Sequence, residues 1–208
     1  MFRRTFLLFA LLVMTLPACA ADKPKKPVIA GHVARVQEFA TQNGEALKKT
    51  GALVHVGDTL ATGAGSRLEV RFTDGGTLVL GENAKLVIND YAHDPVKVTG
   101  KSLLSIVDGA FKATTAAIAK LEDRPYQVRT QLATIGIRGT TFWGGALNSG
   151  YNVLVLEGKG VVVENKEGKV ELTGPGQGSA LEAGKAPEAP KVWTPERQAE
   201  AAATVAFK

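Results

Sequence analysis

Tyr126–Trp143 reads YQVRTQLATIGIRGTTFW. Strand-forming ends, Tyr126 and Val128 on one side and Thr140–Trp143 on the other, enclose a core in which Ala133, Ile135 and Ile137 alternate with Thr134, Gly136 and Arg138. Alternation at period two is the pattern of a half-buried strand, with one face in a core and the other in solvent. Gly136 and Gly139 flank Arg138, so the backbone is free to bend there. The reading that follows makes Arg138 a tie between strand ends, its five fixed donors spent on carbonyls or a carboxylate. The second reading is a residue that touches a ligand.

The same pattern extends outward. Leu68-Glu69-Val70-Arg71-Phe72 places Leu68, Val70 and Phe72 on one face, and Asp74-Gly75-Gly76 supplies a tight hairpin turn. Thr77–Leu80 and Leu86–Ile88 follow. Further strands are expected at Lys97–Thr99, Ser102–Val107, Phe111–Ala113, Tyr126–Arg129, Asn152–Leu156, Val161–Glu164, Lys169–Thr173 and Gln177–Leu181. Turns recurring every ~8–12 residues mark an all-β sandwich, barrel or solenoid. Two segments read as helical. Thr114–Glu122 (TTAAIAKLE) is alanine-rich, with Ile118 and Leu121 spaced for one helical face. Thr194-Pro195-Glu196 is a helix start: capping hydroxyl, proline at the first position, then an acid at the positive dipole end. That helix is expected to run from about Pro195 to Phe207, with Trp193, Val205 and Phe207 docking it onto the β body.

Three stretches, in order, resemble the FecR domain family. The first is GDTLATGAGSRLEVRFTDGGTLVLGENAKLVI (Gly57–Ile88), the second the Arg-Gly-Thr run of Tyr126–Trp143, and the third NVLVLEGKGVVVENKEGKVELTGPGQGSAL (Asn152–Leu181). Together they cover Gly31–Leu181, and Gln131 stands where the family usually carries proline. The resemblance implies a compact β-sandwich with solenoid-like coils, and an exported module that recognises another cell-envelope protein, with a role in envelope signalling. The family's name-giving regulators add a cytoplasmic segment that controls a sigma factor and a transmembrane helix. This sequence shows neither in its mature part, so it is not expected to relay a signal across the inner membrane by itself. Arg138, Thr140, Phe142 and Trp143 are the candidate structural or contact residues, with Phe142 and Trp143 as core and edge aromatics of the sheet.

The ends of the chain bear on location. Met1–Ala21 reads as a secretory signal: Arg3 and Arg4, an apolar run Phe6–Leu16, then Ala18-Cys19-Ala20 at the cleavage site. Cleavage after Ala20 would discard Cys19. Alternatively Leu16-Pro17-Ala18-Cys19 resembles a lipobox, with Cys19 lipid-modified. The only cysteine being there, no intrachain disulfide is available. The expected organisation is signal peptide 1–21, linker 22–30, β domain 31–185, and a proline-containing linker with C-terminal helix at 186–208. The expected location is the periplasm.

The formal net charge is +5, but removing residues 1–20 leaves 23 basic against 20 acidic side chains. Without Asp22–Pro27 the balance is 20 against 19. A folded body so near neutrality argues against nucleic acid as partner.

Catalytic chemistry finds little purchase. His32, His55 and His93 stand apart, with no second ligand at metal-binding spacing. Asp58, Asp74 and Asp90 stand in turn sequences, which account for aspartate without acid–base work. Gly63-Ala64-Gly65-Ser66-Arg67 lacks the phosphate-loop lysine and leads into a strand, and no G-x-S-x-G elbow occurs. A non-catalytic binding module without metal or cofactor is therefore expected. The alternative is a module for cell-envelope polymers or glycans, which would need an aromatic-lined groove; aromatic residues make up only 6% of the chain. A hydrolytic enzyme is the third reading.

Overall fold

A computed structural model describes residues 26–47, 50–121, 126–148 and 150–208. Met1–Ala21, read above as a secretory signal and including Cys19, and the start of the expected linker lie outside the described residues. The N-terminal part supplies β1 (Ile29–Gln37), β2 (Ala40–Gln42), β3 (Glu45–Ala46), β4 (Leu53–His55) and β5 (Thr59–Thr62). The middle supplies β6 (Arg67–Phe72), β7 (Thr77–Leu80), β8 (Lys85–Asp94), β9 (Thr99–Asp108), β10 (Phe111–Thr114), β11 (Tyr126–Arg129) and β12 (Thr134–Ile137). Then come β13 (Thr140–Leu147), β14 (Gly150–Gly158), β15 (Val161–Glu164), β16 (Lys169–Leu172), β17 (Gln177–Leu181), β18 (Lys191–Val192) and helix α1 (Pro195–Ala203).

Among the described residues these strands form two nine-stranded sheets. Sheet I has the order β18-β17-β14-β13-β10-β7-β6-β1-β4, and sheet II the order β16-β15-β12-β11-β9-β8-β5-β2-β3. From β6 onward the chain lays strands in one sheet and then the other, two at a time except for the single β10, and both sheets grow in the same direction. The result is a sandwich wound like a flattened solenoid. Every strand reverses the chain, so strands an odd number of steps apart run antiparallel. β9 and β11 are two steps apart, and they pair parallel.

The core lies between the sheets. Leu68, Val70 and Phe72 point into it from β6, while Arg71 is exposed. Ile135 and Ile137 do the same from β12. The Asp74-Gly75-Gly76 turn forms as expected, with Gly75 at φ 91° and the Asp74 carboxylate accepting from Gly76 N–H at 3.0 Å.

Three local expectations change. Residues 95–98 are a turn, not part of a strand at Lys97–Thr99: β8 and β9 run on into one long hairpin, with Val98 at φ 53°. Thr114–Glu122 is not a helix of that length. Thr114 ends β10, and only a single 3-10 turn forms at Ile118–Lys120. Its first N–H is taken by the Asp74 carboxylate at 3.2 Å, and Leu121 is already extended. Buried Ile118 and Ala119 thus answer to the sandwich rather than to alanine's helix propensity. Glu122 lies outside the described residues. The C-terminal helix stops at Ala203, because the Thr204 hydroxyl turns back onto Ala201 O (2.7 Å) and accepts from the Trp143 indole (2.9 Å).

α1 and its flanks form a strap across the outer face of sheet I. Thr194 caps the helix through Arg197 N–H. Trp193 meets Trp143 edge-on, with centroids 6.2 Å apart, and Arg197 stacks on Trp193 at 3.9 Å while donating to Asn152 Oδ1 at 3.0 Å. At the far end Arg35 stacks on Phe207 at 4.0 Å, and Lys208 N–H donates to Gln37. The last turn of α1 carries no basic residue; buried Arg67 of β6 supplies the cation there, donating to Ala203 O at 3.4 Å.

Trp193 is the anchor of this strap, and a Trp→Ala change at a buried site costs roughly 3–5 kcal/mol. Trp193→Ala should lower the unfolding midpoint followed by circular dichroism. It should also make 190–208 the first segment cut in limited proteolysis; an unchanged cleavage pattern would show that the strap is held elsewhere.

Candidate functional site

The Arg-Gly-Thr run sits where the chain passes from sheet II to sheet I. β12 points Ile135 and Ile137 inward, so Thr134 and Gly136 face outward, and Gly139 at φ 64° turns the chain into β13. Thr140, 3% exposed, meets the next crossing. Its hydroxyl donates to Gly160 O at 2.7 Å and accepts from Gly160 N–H at 3.1 Å. Its own N–H donates to Thr115 Oγ1 at 3.0 Å, and Thr115 returns N–H and O–H bonds to Thr140 O at 3.2 and 3.1 Å. Three segments are thereby joined. They also approach backbone to backbone: a β-carbon on Gly160, at φ 108°, would lie 1.9 Å from Leu172 O.

Phe142 continues inward and meets Phe111 edge-on at 5.5 Å. Trp143 points the other way and is sealed under the strap. Both are consumed by packing.

Arg138 is a correction. It is exposed, and among the described residues its guanidinium makes no hydrogen bond or ion pair. The tie between strand ends belongs to Thr140. Parity explains this: Ile137 faces the core, so the residue after it faces out.

Arg138 lies on the rim of an open cleft of about 370 Å³ on the outer side of sheet II. Gly136, Val162, Lys159, Glu171 and Thr173 are among the other residues that line it. Gly136 is paired with Val162, and Val162 with Glu171, so the floor is one cross-strand row ending at the edge strand β16. A β-carbon on Gly136 would meet nothing within 4 Å. Lys159 N–H bonds Gly139 O at 3.4 Å, which holds the two cation-bearing turns side by side. Like Arg138, the Lys159 ammonium is exposed and unpaired among the described residues, whereas Glu171 is engaged. The sequence reading did not single out Lys159, Gly136 as a floor, or the cleft, because their meeting depends on the pairing of β12, β15 and β16.

Asp58 lies buried between β2, β4 and β5 and accepts from Gln42, Asn43 and His55 N–H, each at 2.7 Å. Burial pushes its carboxyl up, but the bonds from Asn43, His55 and Gln42, with the His55 ring beside it, outweigh that and hold it below its ordinary range. Asp90 is not in a turn. It sits on β8 beside a bulge and pairs with Lys101. Gln131, the departure from the family pattern, donates to Val107 O, and Thr130 Oγ1 closes the turn by accepting from Leu132 and Ala133 N–H. His32 is exposed on β1 and His93 lies on β8. Among the described residues no group of three His, Cys, Asp or Glu could hold a metal, and no helix is long and apolar enough to cross a membrane.

A family model described as FecR protein matches residues 58–160, from the Asp58 cluster to the partner of Thr140. Two crystal structures of a candidate anti-sigma factor from Parabacteroides distasonis ATCC 8503, at 1.65 and 2.50 Å resolution, are similar to this chain. The TM-scores are 0.50 and 0.51, at 18% and 19% sequence identity. Each match covers 64% of this chain and 59% of the other, so the chain spans about three fifths of the length of those structures. At that identity the likeness is one of fold. No curated protein matches the chain.

Two measurements check the assignments. Thr140→Val strands both backbone groups of Gly160 and should cost about 1–3 kcal/mol in chemical denaturation. Arg138→Ala should stay within about 0.5 kcal/mol of the parent; the reverse order would restore Arg138 as the tie. For Asp58, a carboxyl held below its unfolded value stabilises the fold above pH ~4, and that contribution is lost as pH falls through the folded value. Asp58→Asn should therefore be less stable than the parent at pH 7, with the gap closing below pH ~4 in a pH series of urea midpoints.

Proposed function

Because residues 58–160 of this chain belong to the FecR family, we propose that the protein is a non-catalytic binding module that recognises another cell-envelope protein in envelope signalling. The observation that carries this reading is the division of labour in the Arg-Gly-Thr run. Thr140, Phe142 and Trp143 are spent on holding the fold, whereas the Arg138 guanidinium has no partner among the described residues. A guanidinium left free on the rim of a cleft is available for contact. The likeness to a candidate anti-sigma factor supports a signalling setting rather than an enzymatic one.

The glycan alternative draws less support. Among the described residues no aromatic side chain lines the cleft, and both tryptophans are buried. In this reading the protein is exported through the Met1–Ala21 signal and acts in the periplasm, released or held by a lipid on Cys19.

The test places a photo-crosslinking residue at Thr173 in the full chain expressed in its native envelope. A discrete adduct with one envelope protein is expected, and it should vanish in Arg138→Glu at unchanged protein level and melting temperature. Equal crosslinking by parent and variant would remove this face from recognition, and an adduct with polysaccharide alone would favour the glycan reading.

A further inference from the structure

We infer that the cleft between Arg138 and Lys159 takes an acidic segment of the partner in extended conformation, its backbone or an aliphatic side chain seated over Gly136. This rests on the binding-module reading above and adds the chemistry of what is bound.

Gly136 is the first observation. A glycine inside a strand weakens it, because it loses more chain entropy than other residues and packs nothing. Such a residue is usually required by a positive φ or by a close neighbour. Gly136 has neither: its φ lies outside the left-handed region, and a β-carbon would stand in open space. Gly144 and Gly160, by contrast, face atoms at 2.5 and 1.9 Å. The missing side chain opens a hollow between Gln127 on β11 and Val162 on β15, its cross-strand neighbours. Strand glycines without a packing reason mark places where another backbone or ligand comes close.

Charge is the second observation, independent of the first. Arg138 and Lys159 stand on adjacent turns joined through Gly139 O, and neither has an acidic partner among the described residues. Four surface lysines are ion-paired, Lys97 with Asp94, Lys101 with Asp90, Lys185 with Glu182 and Lys191 with Glu188; what sets this rim apart is that two unpaired cations line one cleft. Two unpaired cations on one rim complement carboxylates, and arginine offers them a two-pronged donor. The folded body as a whole is nearly neutral, so this is a local match rather than a general attraction to polyanions. The floor of small and aliphatic groups, Gly136 and Val162, with Glu171 at its edge already engaged, suits a peptide better than a sugar ring, which would call for an aromatic platform.

Two eight-residue peptides provide the probe, one alternating glutamate and valine and the other glutamine and valine. Their binding to the full-length protein is followed by fluorescence anisotropy. The glutamate peptide should bind roughly tenfold more tightly than its glutamine twin, and its affinity should fall as salt rises from about 0.05 to 0.5 M. Arg138→Gln and Lys159→Gln should each weaken it several-fold.

Gly136→Val separates this site from a merely charged surface. Valine favours a strand and finds room there, so the variant should melt no lower than the parent yet lose the peptide. Equal binding of the two peptides, retention of the glutamate peptide by Gly136→Val, or preference for polygalacturonate over peptide would each overturn the inference. In any of those cases, an adduct at Thr173 that still depends on Arg138 would leave the binding-module reading standing. Loss of that dependence would take both.

Discussion

One hydroxyl joins successive coils of this sandwich. Thr140 engages both the N–H and the C=O of Gly160, at a point too crowded for any side chain on Gly160. A sandwich wound alternately through two sheets has a recurrent difficulty: each crossing leaves the ladder of one sheet before entering the other. The backbone groups at the crossing have no strand partner, and burying them unpaired would cost roughly 1–3 kcal/mol each. Threonine resolves this because its hydroxyl both donates and accepts, while its methyl group tolerates burial. The guanidinium next door only donates and could not have satisfied an N–H. Physical chemistry therefore assigns the tie to Thr140 and leaves Arg138 outside.

The second constraint is asymmetry between the two sheets. Trp143, Leu154 and Val79 make the outer face of sheet I apolar, and the strap from Trp193 to Val205 covers it. Arg67 and Arg197 fasten that cover by capping a helix end and stacking on an indole. Sheet II carries Gln127, Arg129 and Glu171 outward, and among the described residues no helix lies over it. The open sandwich face among the described residues is therefore that of sheet II, and the cleft at Gly136 lies on it.

How much of this was legible in the sequence depends on which force decided each element. Where burial alternates, as in Leu68–Phe72 and Thr134–Ile137, period two located the strands. Where propensity competes with tertiary bonding, it misled: the alanines of 114–122 suggest a helix, but Asp74, distant in sequence, claims the first N–H and permits only one turn. Lys97–Thr99 failed for a similar reason. Valine at 96 and 98 favours strand, yet the Asp94 carboxylate accepts from the N–H groups of Val96 and Lys97 and folds the tip over. The short N-terminal strands β2–β4 carry only two or three residues each, too few for periodicity to register.

The candidate site was half legible. Arg138 stood out because two glycines flank it, but those glycines suggested restraint when they meant different things: Gly139 turns the chain, and Gly136 leaves a space. Parity already held the answer, since a strand that buries Ile135 and Ile137 must present Gly136 and Arg138 together to solvent. What no local pattern contains is Lys159, twenty-one residues beyond Arg138 and brought to it by a single bond to Gly139 O. That bond comes from the same crossing that Thr140 secures. The interaction that closes the fold is therefore also the one that sets two cations side by side, so the geometry of the cleft follows from the stability of the sandwich rather than from any element built separately for binding.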